Sequence, residues 1–219
     1  MPSRKQLIIY DLDGTLVDTR EDIARAANHM LSQMALPELP AGEIAGYVGR
    51  GVFALISNCL KSTDPKKVEK ATRIYRDHYA KHMLDHSRVY PGAVETLDYF
   101  KDRHQMVLTN KPNPYSFDLL KALGVGDYFF DVVAGDEVYP KKPDPAAVFA
   151  MLKKFNLTPE QALFIGDSLV DIETARHAKI EVVVLTHGFS GLNELQSASP
   201  EGIAANFPEL LDFIKKKAW

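Results

Sequence analysis

The sequence predicts an α/β protein: a parallel sheet with helices on both faces, and a small helical domain inserted after the first strand. Three observations predict it. Five short apolar runs, QLIIYD (6–11), QMVLTN (105–110), DVVAGD (131–136), LFIGD (163–167) and EVVVLT (181–186), lack polar alternation. Strands buried on both faces read this way. Segments of helical period separate the later runs, which is the pattern of crossover units. Between Thr19 and about His86 no strand-like run occurs. That stretch is too long for a crossover and long enough for a helical domain.

The elements follow in order. After the first strand, Ile23, Ala26, Ala27, Met30, Leu31 and Met34 share one helical face. A glycine-punctuated turn, 46–51, precedes a helical stretch, 52–60. Asp64-Pro65 opens another helix, with Val68, Ala71, Tyr75 and Tyr79 on one side. Ser87, Pro91 and Gly92 mark a return linker. Further helices are expected over 93–101, 113–123, 144–155 and 168–177. In the third of these, Val148, Met151, Leu152 and Phe155 form one stripe. Asn113-Pro114, Asp144-Pro145 and Thr158-Pro159 each place a capping side chain before a proline at a first helical position. Thr158 with Gln161 also matches a capping box. The division is a core of 1–18 and 87–219 and a helical domain of 19–86.

Composition narrows the function. The charge sum is 26 minus 29, or −3. A duplex-binding protein carries a basic excess, so nucleic acid is not the expected partner. The longest apolar runs are four or five residues, far short of the ~20 that span a bilayer, so no membrane is expected either. The apolar stretch after the basic start reaches Asp11 too soon for a signal peptide. One cysteine, Cys59, cannot form an internal disulfide, fits a reducing cytoplasm and excludes a Cys-rich zinc site. It reads as a small buried residue.

In open parallel sheets ligands bind beyond the carboxyl ends of the strands. Those ends carry Asp11, Thr109, Asp136, Asp167 and Thr186. The strongest segment is Asp11-Leu12-Asp13-Gly14-Thr15. Two carboxylates two residues apart repel one another, so a cation or a shared proton must hold them. A polar strand exit with an Asp-Gly turn would look similar. The longer DxDGT string, however, arises by chance roughly once in a thousand chains of this size at equal residue frequencies.

With Thr109-Asn110 after the second run, Lys142 in KKPDP and Gly166-Asp167-Ser168-Leu169-Val170-Asp171 after the fourth, the sequence resembles the haloacid dehalogenase superfamily of phosphohydrolases. TNKP (109–112) and KKPDP (141–145) bring it nearest to the phosphoglycolate phosphatase subgroup. The resemblance covers the chain and implies a Rossmann-like core with a helical cap. It implies a Mg²⁺-dependent phosphatase for a small phosphorylated metabolite, with phosphoglycolate the best single candidate, acting as a monomer or homodimer. By resemblance Asp11 is the nucleophile that forms an aspartyl-phosphate, and Asp13 the general acid and base. Asp11, the Asp13 carbonyl and Asp167 hold the metal, and Thr109, the backbone of Asn110 and Lys142 grip the phosphoryl group. A phosphosugar mutase, a pyrophosphatase and a non-catalytic phosphate-binding regulatory module are the alternatives.

Charge supports this reading. A phosphate monoester, Asp11 and Asp167 together need compensation, which a divalent cation on oxygen ligands and Lys142 supply. No His or Cys cluster offers a softer metal a home, so Mg²⁺ fits best. Asp171 reads as a good helix start behind Ser168, or as a carboxylate that orients Lys142 or a metal-bound water. Arg50, between Gly49 and Gly51, is either an exposed loop arginine or a fork for a substrate carboxylate. Lys141 reads as a solvated neighbour of Lys142. His78, His82 and His86 recur at i+4 and read as packing of the helical domain rather than a metal site. Lys215, Lys216 and Lys217 read as a solvated helix face. Asp136 reads as a residue at the rim.

Overall fold

The computed structural model describes residues 4–135 and 138–219. Asp136 lies outside the described residues. Strand β1 (Leu7–Tyr10) leads to a two-residue strand β2 (Val17–Asp18). Four helices follow: α1 (Arg20–Gln33), α2 (Ala41–Ala45), α3 (Val52–Leu60) and α4 (Pro65–His82). The chain returns through β3 (Arg88–Val89), antiparallel to β2. Then come α5 (Ala93–Tyr99), β4 (His104–Leu108), α6 (Tyr115–Ala122), β5 (Asp131–Val133) and α7 (Ala146–Lys154). The last elements are β6 (Ala162–Gly166), α8 (Leu169–Ala178), β7 (Glu181–Leu185), α9 (Leu192–Ser197), β8 (Gly202–Ala204) and α10 (Phe207–Lys217).

The main sheet is parallel throughout, in the order β5-β4-β1-β6-β7-β8. Its strands are buried on both faces, which is why their sequences lack polar alternation. Ile8 and Tyr10 of β1 join Val107, Ile165 and Val183 in one core, closed by α5, α6 and α10. Leu7 and Ile9 point the other way and join Met106, Phe164 and Val184, closed by α7 and α8. A third core belongs to α1–α4, with Met30, Ile56, Val68, Ala71 and Tyr79 at its centre. The buried carboxylate of Asp22 in α1 accepts hydrogen bonds from His86 N, Ser87 N and Ser87 Oγ. Those donors tie the start of the helical unit to its exit beside the β2–β3 ribbon.

The chain leaves β1 for β4 and β5 on one side and for β6, β7 and β8 on the other. The order therefore reverses at β1, and a crevice opens beyond its carboxyl end. The five expected strands are all present. β8 and the β2–β3 ribbon were not expected.

Two helix starts differ from the sequence expectation by one residue. Pro114 (φ −79°, ψ −4°) and Pro145 (φ −86°, ψ 1°) are the residues before α6 and α7, not their first residues. Proline holds a near-helical φ there, but the hydrogen-bonded ladder starts after it. Asp144 still serves the exposed end, accepting from Ala146 N at 2.8 Å. Thr158-Pro159 opens only a single 3₁₀ turn, Pro159–Gln161, with the reciprocal capping box formed. The apolar residues that follow enter β6 instead of extending a helix. Asp64 behaves as expected and accepts from Lys66 N and Lys67 N.

His78 is half-buried and stacks on His29 and His82, with ring centroids 4.1 and 4.4 Å away. His82 and His86 are exposed, so the expected packing role holds for His78 alone. His78 and His82 belong to α4, and His86 follows its end. Cys59 is buried, and burial pushes its thiol up to about 11.

Candidate active site

Asp11, Thr109 and Asp167 stand at the carboxyl ends of β1, β4 and β6, which are neighbours in the sheet. Each of these side chains is almost completely buried. Lys142 comes in from the loop before α7. Its Nζ lies 2.8 Å from Asp11 Oδ1 and 2.7 Å from Asp171 Oδ1. Asp171 sits in the first turn of α8, where its Oδ2 accepts from Asp167 N, Ser168 N and Ser168 Oγ. Both of its oxygens are thus used inside the protein, one to hold Lys142 and one to cap the helix.

Two glycines permit this close packing. Gly14 has φ +82°, and a Cβ there would lie 2.5 Å from Asp167 Oδ2. A Cβ on Gly166 would lie 2.4 Å from Cβ of Asp171. The glycines of the DxDGT and GDS strings are thus required by the carboxylates they approach.

Oxygens of Asp11, Asp167 and Asp171 lie within 4.8 Å of one another. Burial pushes the Asp11 carboxyl up to about 7, with Lys142 opposing the rise and Asp171 adding to it. Burial and the charges of Asp171 and Asp11 also raise Asp167. Burial alone would lower Lys142, but Asp11 and Asp171 outweigh it and hold the ammonium charged. Ionising both Asp11 and Asp167 would therefore leave excess negative charge in a poorly solvated place. Hard oxygen donors with that excess fit a small divalent cation such as Mg²⁺. Asp167 is oriented by Thr15 Oγ1 at 2.6 Å and Phe189 N at 2.8 Å. Asp11 Oδ1 accepts from Leu12 N and meets Lys142, while no described residue donates to Asp11 Oδ2.

The crevice has two arms that meet at Asp11 and Asp13. The outer arm is bordered by Asp167, Ser168, Phe189 and the exposed Arg50. Arg50 has no ion pair among the described residues. The inner arm, of about 50 Å³, runs between the helical unit and the sheet and is lined by Ile23, Val52, Leu55, Tyr75, Tyr79, Tyr115, Thr109 and Lys111. Thr186 ends β7, donates its N–H to Ala204 and borders neither arm.

Several site residues were not singled out from the sequence. Lys111 is buried, with Nζ 2.8 Å from Asp13 Oδ1 and 2.7 Å from Tyr79 Oη. Thr19 Oγ1 donates to Asp13 Oδ1 at 2.8 Å. Asn110 contributes a side chain, where only its backbone was expected. Its Nδ2 donates to Gly49 O and Lys142 O, and its Oδ1 accepts from Lys142 N. One amide thus joins the loop of the helical unit to the loop that carries Lys142. Arg20, at the start of α1, donates to Gly188 O at 2.7 Å and steadies the loop whose Phe189 N holds Asp167. Lys111 and Thr19 were visible only as neighbours of the quoted motifs, in TNKP and in the VDT that follows DGTL.

The haloacid dehalogenase-like hydrolase family matches residues 8–185. The chain is 32% identical over 225 residues to the phosphoglycolate phosphatase of Nitrosococcus oceani, covering all of both chains. It is 31% identical to that of Haemophilus influenzae strain Rd, covering 98% of this chain and all of the other. The crystal structure of a predicted phosphoglycolate phosphatase from Haemophilus somnus 129pt superposes with a TM-score of 0.91 at 29% identity, covering 96% of this chain and 98% of that one. With the parallel sheet, the DxDGT turn and the Asp-Lys cluster at the strand ends, these matches place the chain in the haloacid dehalogenase-like hydrolase family.

Proposed function

We propose that the protein is a Mg²⁺-dependent phosphatase that hydrolyses a small phosphorylated metabolite, with phosphoglycolate as the substrate, through an aspartyl-phosphate. The observation that carries this reading is the placement of Asp11. Its Oδ1 is held by Lys142 and Leu12 N, no described residue donates to its Oδ2, and the residue lines both arms of the crevice. The 31–32% identity to phosphoglycolate phosphatases over whole chains supports the choice of substrate.

In this reading Asp11 Oδ2 attacks phosphorus in line, and the bond from phosphorus to the ester oxygen breaks. Asp13 gives its proton to the departing alkoxide. It then takes a proton from the water that cleaves the acyl phosphate and restores Asp11. Lys142 and Thr109 bear on the phosphoryl oxygens, and Asp171 keeps the ammonium of Lys142 in place. Asp11, the Asp13 carbonyl and Asp167 would hold Mg²⁺, which supplies the positive charge that offsets the phosphate and the carboxylates. The 19–86 unit acts as a cap that shuts water and the leaving group into the inner arm. The unpaired, buried thiol of Cys59 is in keeping with a cytoplasmic enzyme.

A phosphate-release screen over small phosphorylated acids, sugars, nucleotides and pyrophosphate, with and without Mg²⁺, tests the reading. Mg²⁺-dependent release, greatest from phosphoglycolate, is the expected result. Release from none of them, or full release in a chelator, refutes it.

A further inference from the structure

Among the described residues that line the inner arm, Lys111 carries the one ammonium group, and its place limits what it can read. Its Nζ is 2.8 Å from Asp13 Oδ1 and 2.7 Å from Tyr79 Oη. An ammonium has three N–H donors, and among the described residues the third has no acceptor, which leaves it for a ligand. Its side chain is only 5% exposed. A contact made there competes weakly with water.

We propose that Lys111 selects the substrate: its Nζ binds a carboxylate on the carbon that bears the ester oxygen, so the enzyme acts on O-phosphates of small 2-hydroxy acids. The proposal rests on the phosphatase reading and names the residue and the chemistry behind its specificity. The distance carries it. Asp13 serves the ester oxygen, and Lys111 touches Asp13, so any group that Lys111 binds must sit beside that oxygen. In a 2-hydroxy acid one carbon separates the ester oxygen from the carboxylate carbon, which puts them about 2.5 Å apart through two single bonds. A carboxylate further along the chain would pass Lys111 and meet the apolar wall.

Size and polarity agree. A free volume of about 50 Å³ holds roughly four water-sized groups, enough for a two- or three-carbon acid. Ile23, Val52 and Leu55 form an apolar wall that leaves any sugar hydroxyl turned towards it without a partner. Lys142 is already engaged by Asp11 and Asp171, Lys141 is exposed with its Nζ beside Gly51, and Arg50 is exposed and borders the outer arm, on the side of Asp167.

The test compares phosphoglycolate with ethyl phosphate, which has the same length and no carboxylate. In Lys111→Met the ratio of their kcat/KM values should fall about 10- to 100-fold, the worth of a charge-assisted hydrogen bond. Lys111→Arg should recover part of the ratio, and Arg50→Ala should move it less than Lys111→Met does. Taking the ratio cancels any general damage to Asp13. An unchanged ratio in Lys111→Met overturns the proposal, as does a larger effect from Arg50→Ala. Should Lys111→Met fail to fold, the wild-type enzyme decides. Its kcat/KM should drop stepwise from phosphoglycolate to the 3-phosphate of 3-hydroxypropionate and the 4-phosphate of 4-hydroxybutyrate. A flat series overturns the role of Lys111 and leaves the phosphatase reading standing. No release from any of these substrates overturns both.

Discussion

Asp171 Oδ1 lies 2.7 Å from Lys142 Nζ, and neither side chain is more than 1% exposed. The same carboxylate caps α8 through its other oxygen. Asp171→Ala therefore removes a buried ionic partner and a helix cap together. Asp11 remains as a second partner, so the loss is smaller than for an orphaned buried charge. We expect destabilisation of about 2–4 kcal/mol in urea unfolding and at least a tenfold fall in kcat. Wild-type stability in that variant would show that Lys142 does not depend on Asp171.

The strand ends were legible because burial on both faces writes continuous apolar runs, and the reactive residues terminate those runs. Asp171 was legible because its cap is local, three residues after Ser168. Lys111 was not. Its partners are Asp13, 98 residues away, and Tyr79, 32 residues away, and only the fold brings them together. β8 has three residues, too few to show a period. The cap positions at Pro114 and Pro145 missed by one residue, because proline adopts helical angles before the ladder begins.

Metal binding and pH should be linked. The Asp11 carboxyl is raised to about 7 by burial, against an ordinary value near 4 in the unfolded chain. The folded state therefore holds this proton more tightly. Its stabilising contribution is complete below about pH 4 and is lost as pH rises through 7. Asp167 shifts in the same direction. A divalent cation replaces the missing proton, so Mg²⁺ should raise Tm more at pH 8 than at pH 5. At a hundredfold excess over Kd, Mg²⁺ binding adds about 2.7 kcal/mol, or roughly 5–10 °C for a chain of this size. Thermal melts at both pH values with MgCl₂ or EDTA make the check. A larger shift at pH 5 would contradict the assignment of these carboxylates to the metal.

Asp11→Asn should abolish phosphate release and leave a folded protein. The amide keeps the shape of the carboxylate and removes a buried charge, so Tm in EDTA at pH 8 should equal or exceed that of the wild type. An amide is a poor nucleophile, and no described carboxylate is placed to replace it at the end of β1. Circular dichroism with a sensitive phosphate assay separates loss of chemistry from loss of fold. Near-normal turnover would exclude Asp11 as the nucleophile.

Asp13 is the last of the carboxylates and the one whose role depends on the substrate. Its Oδ1 accepts from Thr19 Oγ1 and Lys111 Nζ, both at 2.8 Å, and its side chain is 11% exposed. It is thus fixed at the junction of the two arms, where the proposed mechanism puts the ester oxygen. Asp13→Asn keeps those contacts approximately and removes the transferable proton. Turnover of phosphoglycolate should fall ~10²–10⁴-fold, the usual worth of general acid–base catalysis. An activated aryl phosphate needs little help in leaving, so its first step should lose much less. The metal contact expected of Asp13 is through its backbone carbonyl, and the Mg²⁺ dependence should survive. Pre-steady-state phosphorylation measured with para-nitrophenyl phosphate and with phosphoglycolate distinguishes the steps. An equal loss for both substrates would mean that Asp13 shapes the site without carrying the proton.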